Sequence, residues 1–261
     1  MKMDKHRYEK VIDDFSLMDD TFMSAVFDRD NETVALILNI ILNRSDMEVI
    51  EVIAQRSYNN LLDRSIRLDI FAKDSSGKVY DIEVQRSSDG ADCRRARYNS
   101  SMIDTRLLQR GQEFTELVDS YVIFITETDV IGSGLPLYEI ERIVKQTGAY
   151  FGDGSHIIYV NGSNNDNTPL GRLMHDFKCK NADDMHYHQI ADRVRYIKQE
   201  EGGREYMCKI MEELNQQAVY EKQQQIAIAM IDKGKYTYEE ISECTGLPLD
   251  KVKELAAGKT A

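Results

Sequence analysis

The chain lacks any cysteine pairing signature. Its four cysteines, Cys93, Cys179, Cys208 and Cys244, include no CxxC pair, and such spacing outlines neither a disulfide framework nor a zinc ribbon. It is also poor in long apolar runs. The longest, Val34 to Leu42, is too short to span a bilayer, so no membrane segment is expected. Positive charge is in deficit: 33 Lys and Arg stand against 45 Asp and Glu, for a net charge of -12. That balance argues against a protein that coats DNA non-specifically, because phosphate contacts need Lys and Arg. A metal-dependent nuclease remains compatible with it, since carboxylates hold the metal and the basic surface can be local. The start, Met1 to His6, leads into polar, acidic sequence with no signal-peptide pattern, and a cytoplasmic protein with reduced thiols is expected.

What is present is an α/β pattern followed by helices. Val34, Leu38 and Ile41 recur at helical spacing within Asp30–Leu42, and the β-branched run Met47–Gln55 reads as a strand. Ile66–Phe71 alternates, Asp74-Ser75-Ser76-Gly77 forms a turn, and Val79–Gln85 is the returning strand. Alternation puts Val79, Asp81, Glu83 and Gln85 on one face. Asp92–Gln109 is helical, Ser120–Thr126 is a buried strand, and Leu137–Val144 and His156–Val160 are further strands. Beyond about residue 170 only helical signals remain, which divides the chain into an α/β domain over 1–170 and a helical region over 171–261. The last part, Ile226–Ala257, reads as a helix-turn-helix. Lys235–Glu254 carries three basic and five acidic residues, a balance that favours a three-helix packing or self-association unit over a recognition helix.

The chemistry centres on the hairpin. Asp69 and Glu83 fall on adjacent strands and can share a sheet face. Two close carboxylates repel unless a cation lies between them, and Mg²⁺, with Mn²⁺ as an alternative, takes oxygen ligands of this kind. Gln85 shares the Glu83 face and can orient water or a phosphate oxygen, although it brings no positive charge.

Arg67-Leu68-Asp69-Ile70 with Tyr80-Asp81-Ile82-Glu83-Val84-Gln85 resembles the D…ExQ variant of the PD-(D/E)xK nuclease superfamily, and more narrowly the PD-(D/E)xK nuclease family transposases. Met18-Asp19-Asp20-Thr21-Phe22-Met23, Arg94-Arg95-Ala96-Arg97-Tyr98 and Tyr121–Thr126 match in the same order, over about residues 14–145. The resemblance implies a restriction-endonuclease-like αβββαβ core with a central mixed sheet, and Mg²⁺-dependent hydrolysis of DNA phosphodiesters. Asp69 and Glu83 would be metal ligands, with Gln85 where a Lys usually stands; Leu68 replaces the usual Pro. Glu32, on the first helix, is a further candidate ligand. Asp19 and Asp20 match the family's signature, and capping of the helix that begins at Thr21 explains one of them equally well. Arg94 and Arg97 share a helix face suited to phosphates, and Tyr98 is placed to stack on a base or sugar. The same fold also serves a catalytically inactive DNA-binding or protein-interaction scaffold, which the loss of Lys favours. His175, Cys179, His186 and His188 match no common zinc spacing, with His186 and His188 expected to diverge on a helix.

Overall fold

The computed structural model describes residues 5–58 and 66–257. The first four residues of the polar N-terminal lead therefore lie outside the described residues. The chain divides into two compact units, Glu9–Arg204 and a second that contains the helices from Glu205 onward.

The larger unit is built on a six-stranded mixed sheet. Its strands are β1 (Val49–Tyr58), β2 (Ile66–Asp74), β3 (Val79–Gln85), β4 (Ser120–Thr126), β5 (Leu137–Ile140) and β6 (Ser155–Asn161). They are ordered β1-β2-β3-β4-β6-β5. The first three form an antiparallel meander, β4 and β6 run parallel to β3, and β5 returns antiparallel at the edge. With the helices this is a restriction-endonuclease-like αβββαβ core, as expected. The expected strand Leu137–Val144 ends earlier, at Ile140; only an isolated bridge, Ile143 to Tyr150, continues it.

The β2–β3 hairpin is fixed by Asp74. Its Oδ1 accepts the backbone N–H groups of Ser76 and Lys78 and the Ser76 hydroxyl, and its Oδ2 accepts the Tyr80 hydroxyl at 2.8 Å. Gly77 supplies the positive φ of +91° that closes the turn.

Helices cover both sheet faces. The first helix is α1 (Lys5–Asp14). Next come α2 (Asp20–Phe27) and α3 (Asn31–Ile41), which pack on the meander and bury Phe22, Met23, Val26, Val34 and Leu38. On the other face α4 (Cys93–Leu107) lies over β4 and β6. There Ala96, Met102 and Ile103 join Phe71, Val79, Val122, Phe124 and Tyr159 in one apolar cluster.

The contacts do not divide the chain at residue 170. Helices α5 (Pro169–Lys178) and α6 (His188–Gln199) belong to the sheet unit. The physical reason is their apolar stripe: Leu173, Met174, Phe177, Ile190, Val194 and Ile197 are all buried, with α5 against α3 and α6 against α2. Helicity alone could not reveal on which side of a boundary an apolar face is satisfied.

The second unit holds most of α7 (Glu201–Lys233), with α8 (Tyr238–Thr245) and α9 (Leu249–Ala257). Ala227, Ile241, Leu247 and Val252 form its core. Thr237 and Glu240 form a capping box on α8, and Gly246 ends it in the left-handed conformation, φ 75°. Among the described residues no helix is long and apolar enough to cross a membrane.

Candidate active site

Strand pairing brings Asp69 and Glu83 together. The β2–β3 ladder runs from Lys73 opposite Val79 to Ile70 opposite Ile82, and beyond that point side chains take over from backbone. Asp69 Oδ2 accepts the Val84 N–H at 3.2 Å, while Glu83 Oε1 lies 3.4 Å from the Asp69 nitrogen. The two carboxylates thus close the open end of the ladder reciprocally. On the far side, Gln55 of β1 has φ +53° at the position the β1–β2 register sets opposite Asp69. Its amide donates to Ser24 Oγ at 2.7 Å, and the Ser24 hydroxyl donates to the Asp69 carbonyl at 3.3 Å. This chain of bonds ties Asp69 to α2.

A third carboxyl lies beside Glu83. Asp81 lies two residues before Glu83, on the same face, and both are 0% exposed; Asp69 is 6% exposed. Asn99 of α4 donates to Asp81 Oδ2 at 3.2 Å, and Asp81 Oδ1 meets no nitrogen or hydroxyl donor of the protein among the described residues. Asp81 also faces the Glu83 carboxyl, a pairing that raises Asp81 and lowers Glu83.

Burial and mutual repulsion raise all three carboxyls. Asp69 is pushed up to about 8, by desolvation first and the Glu83 charge second. Burial lifts Asp81 well above the carboxylate range, with the Glu83 and Asp69 charges adding to it. Glu83 is raised by burial, against which the Arg95 charge acts. Asp20, at the start of α2, adds a negative field on both Asp69 and Glu83.

Arg95 supplies the opposing charge. Its Nη2 donates to Glu83 Oε2 at 2.5 Å and its Nη1 to the Gly90 carbonyl at 2.9 Å. The guanidinium lies 5.8 Å from the centre of the Phe124 ring. Three carboxylates minus one guanidinium leave a formal charge of −2 when all are ionised, the complement of one divalent cation. An all-oxygen donor set with an unsatisfied buried oxygen fits a hard cation such as Mg²⁺ or Mn²⁺.

Gln85 is half-buried on the same strand face, and its side chain crosses directly over Gly90. A Cβ built on Gly90 would stand 1.8 Å from Gln85 Oε1. Gly90→Ala is therefore expected to displace Gln85 at a stability cost under ~1 kcal/mol, because the obstacle is the end of a flexible side chain. If Gln85 orients a reactant, any reaction at this site slows by about tenfold or more. An unchanged rate in Gly90→Ala would leave Gln85 without a role in the chemistry.

The other expected residues stand elsewhere. Glu32 is exposed in the first turn of α3 and lines a surface depression with Arg29, Asp30, His188, Asp192 and Arg193. The structure does not bring it to the carboxylates; the helical acid that acts on them is Asp20. Asp19 occupies the N-cap position of α2 without a side-chain capping bond. Its carboxylate instead accepts the Ser16 N–H and the Arg86 guanidinium, both at 2.9 Å, and so ties the start of α2 to the end of β3. Arg94 and Arg97 are exposed, while Tyr98 packs against the apolar cluster beneath α4.

Asp81, Arg95 and Asn99 complete the constellation; the sequence placed Asp81 on the Glu83 face and Arg95 in the arginine-rich segment, without giving either a role at the carboxylates. A signal existed: Arg95 and Asn99 are four apart, flanking the buried Ala96 and Ile103, so two polar side chains look at the sheet from an otherwise apolar face.

A family model described as PD-(D/E)XK nuclease family transposase matches residues 18–169. That span holds all of these residues. Searches of the curated proteins and of the solved structures gave no match.

Proposed function

The chain belongs to the PD-(D/E)XK nuclease family transposases, and we propose that it hydrolyses DNA phosphodiester bonds with one or more divalent cations, Mg²⁺ or Mn²⁺, held by Asp69 and Glu83, with Asp81 beside Glu83. PD-(D/E)XK nucleases generally use divalent metals. The observation that carries the reading is the buried carboxyl triad, opposed by one guanidinium and with an Asp81 oxygen lacking a donor among the described residues. Such a group of charges is costly unless protons or a cation balance it.

A cation bound there acidifies water and neutralises charge that develops on the phosphoryl oxygens. The chain's own residues do the rest. Burial holds Asp69, Asp81 and Glu83 away from bulk water, which strengthens their hold on any cation. Arg95, fixed by Glu83 and the Gly90 carbonyl, keeps a positive charge beside the carboxylates. It supplies the charge that Gln85 cannot, and its planar guanidinium suits a phosphate. Gln85 contributes an amide that can orient water or a phosphate oxygen. Arg94 and Arg97 face solvent on α4 and serve the DNA backbone.

The test is plasmid nicking by the purified full chain. Supercoiled DNA should be nicked in Mg²⁺ and left intact in EDTA. Glu32→Ala should nick at the wild-type rate, because Glu32 lies away from the carboxylates. A second reading draws on the Arg95–Glu83 pair, which already neutralises one carboxylate: a scaffold that binds DNA and does not cut it. Salt-dependent DNA binding without nicking in either Mg²⁺ or Mn²⁺ would select that reading.

A further inference from the structure

A second cluster of ligating side chains lies outside the carboxylate site, where α5 meets the loop before α6. His175 and Cys179 are four residues apart on α5 and therefore share a face. Cys179 Sγ lies 3.5 Å from His175 Nδ1 and 3.6 Å from its Nε2. His175, Asp176 and Cys179 offer ligand atoms that all lie within 4.8 Å of one another, so a small movement of the partly exposed Cys179 and His175 side chains brings Sγ and Nε2 to a shared ion. His175 Nδ1 faces Asp176 Oδ1 at 3.2 Å. A carboxylate on Nδ1 leaves Nε2 free to ligate, the arrangement that orients metal-bound histidines.

Asp176 does a second job. It is wholly buried, and it accepts the backbone N–H groups of His186, at 2.8 and 3.0 Å, and Tyr187, at 2.8 Å. The loop that carries His186 is thereby fastened to the helix that carries His175 and Cys179. The His186 ring stands 4.7 Å from that of His175, centroid to centroid. His186 precedes α6, which starts at His188, so the expected divergence of His186 and His188 on one helix does not arise. Sequence spacing did not reveal the cluster because its side chains come from a helix and a loop joined by a buried carboxylate.

We propose that His175, Cys179 and His186 bind one zinc-type divalent cation, with Asp176 holding His175 in its ligating orientation and the fourth position open to solvent. The nitrogen and sulfur donors select a borderline-soft ion over Mg²⁺. The nearby negative charges of Asp176 and Asp184 favour a cation there. Its role is to staple α5 to the entry of α6, apart from the Asp69–Asp81–Glu83 carboxylates.

The full chain, stripped with a chelator and then kept in excess Mg²⁺ to fill the carboxylate site, should show thiolate-to-cobalt charge-transfer absorption that saturates at one equivalent of Co²⁺. Zn²⁺ should displace the band and Mg²⁺ should not. Cys179→Ser should abolish it, whereas Cys208→Ser and Asp69→Ala should retain it. His175→Ala and His186→Ala should each weaken Co²⁺ binding by at least the ~10-fold that loss of even an outer partner costs. A measurement free of any variant is alkylation of Cys179 in the wild-type chain, which one equivalent of Zn²⁺ should slow by about tenfold or more. No charge-transfer band, a band that survives Cys179→Ser, affinity unchanged by both histidine variants, or equal alkylation with and without Zn²⁺ would each overturn the proposal.

Discussion

Asp69→Asn should give a protein that is more stable without metal and unable to cut DNA. Asn keeps the shape of Asp69 and can still accept the Val84 N–H that Asp69 Oδ2 now takes, so the end of the ladder stays closed. What disappears is a buried charge. Asp69 titrates at about 8 in the folded chain, against 3.8 for an ordinary Asp, because burial and then Glu83 disfavour its ionised form. Between those two values the native state holds more protons than the unfolded chain. Stability from this group is thus complete below about pH 4, drains away as pH rises, and is fully lost above about pH 8. The neutral Asn escapes that loss. Urea melts in EDTA should find the variant and wild type alike near pH 4, and the variant about 1–3 kcal/mol more stable at pH 8.

Mg²⁺ reverses the order. It should raise the melting temperature of wild type more at pH 8 than at pH 5, since it competes with protons for the carboxylates, and should barely move the variant. Cleavage should fall by about 10³-fold or more, the scale of losing several kcal/mol of transition-state stabilisation. A variant with wild-type pH dependence of stability would show that Asp69 carries no such strain.

Arg95→Ala should lower kcat by about 10²-fold, within the range for losing one charged group that stabilises developing phosphoryl charge. Arg95 is part of the bonded frame around Glu83 and Gly90, so a structural loss must be told apart from a chemical one. Two readouts do so. Arg95 opposes the raised titration of Glu83, so its removal lets Glu83 titrate higher still, and the acid limb of the pH–rate profile should move to higher pH. Arg95→Lys should restore part of kcat, because it returns the charge without the planar fork. A fall confined to KM, with an unmoved acid limb, would assign Arg95 to DNA binding alone.

The hairpin was legible because three local signals agreed: alternation in Ile66–Phe71, the Asp74–Gly77 turn, and alternation in Val79–Gln85. Period-2 alternation places Asp69 and Glu83 as soon as the turn is fixed. The buried stripe of α3 and the apolar run of β4 were readable in the same way. What was hidden depends on contacts between elements. Asp20 and Glu32 are both acids in the first turn of a helix, and only the packing of α2 on the meander decides which one faces the carboxylates. Arg95 and Arg94 are neighbours in sequence, yet one reaches Glu83 and the other faces solvent, a difference of about 100° around the helix. The placement of α5 and α6 in the sheet unit and the meeting of His175 with His186 are tertiary in the same sense.

The most direct test is a crystal structure of the wild-type chain soaked in Mn²⁺, with the ion located by anomalous scattering. The account predicts a peak about 2.1–2.2 Å from carboxylate oxygens of both Asp69 and Glu83, with Asp81 Oδ1 turned to the ion or to a water on it. A lattice with both carboxylates accessible, yet no ion between them and the Arg95 guanidinium still bonded to Glu83, would contradict it.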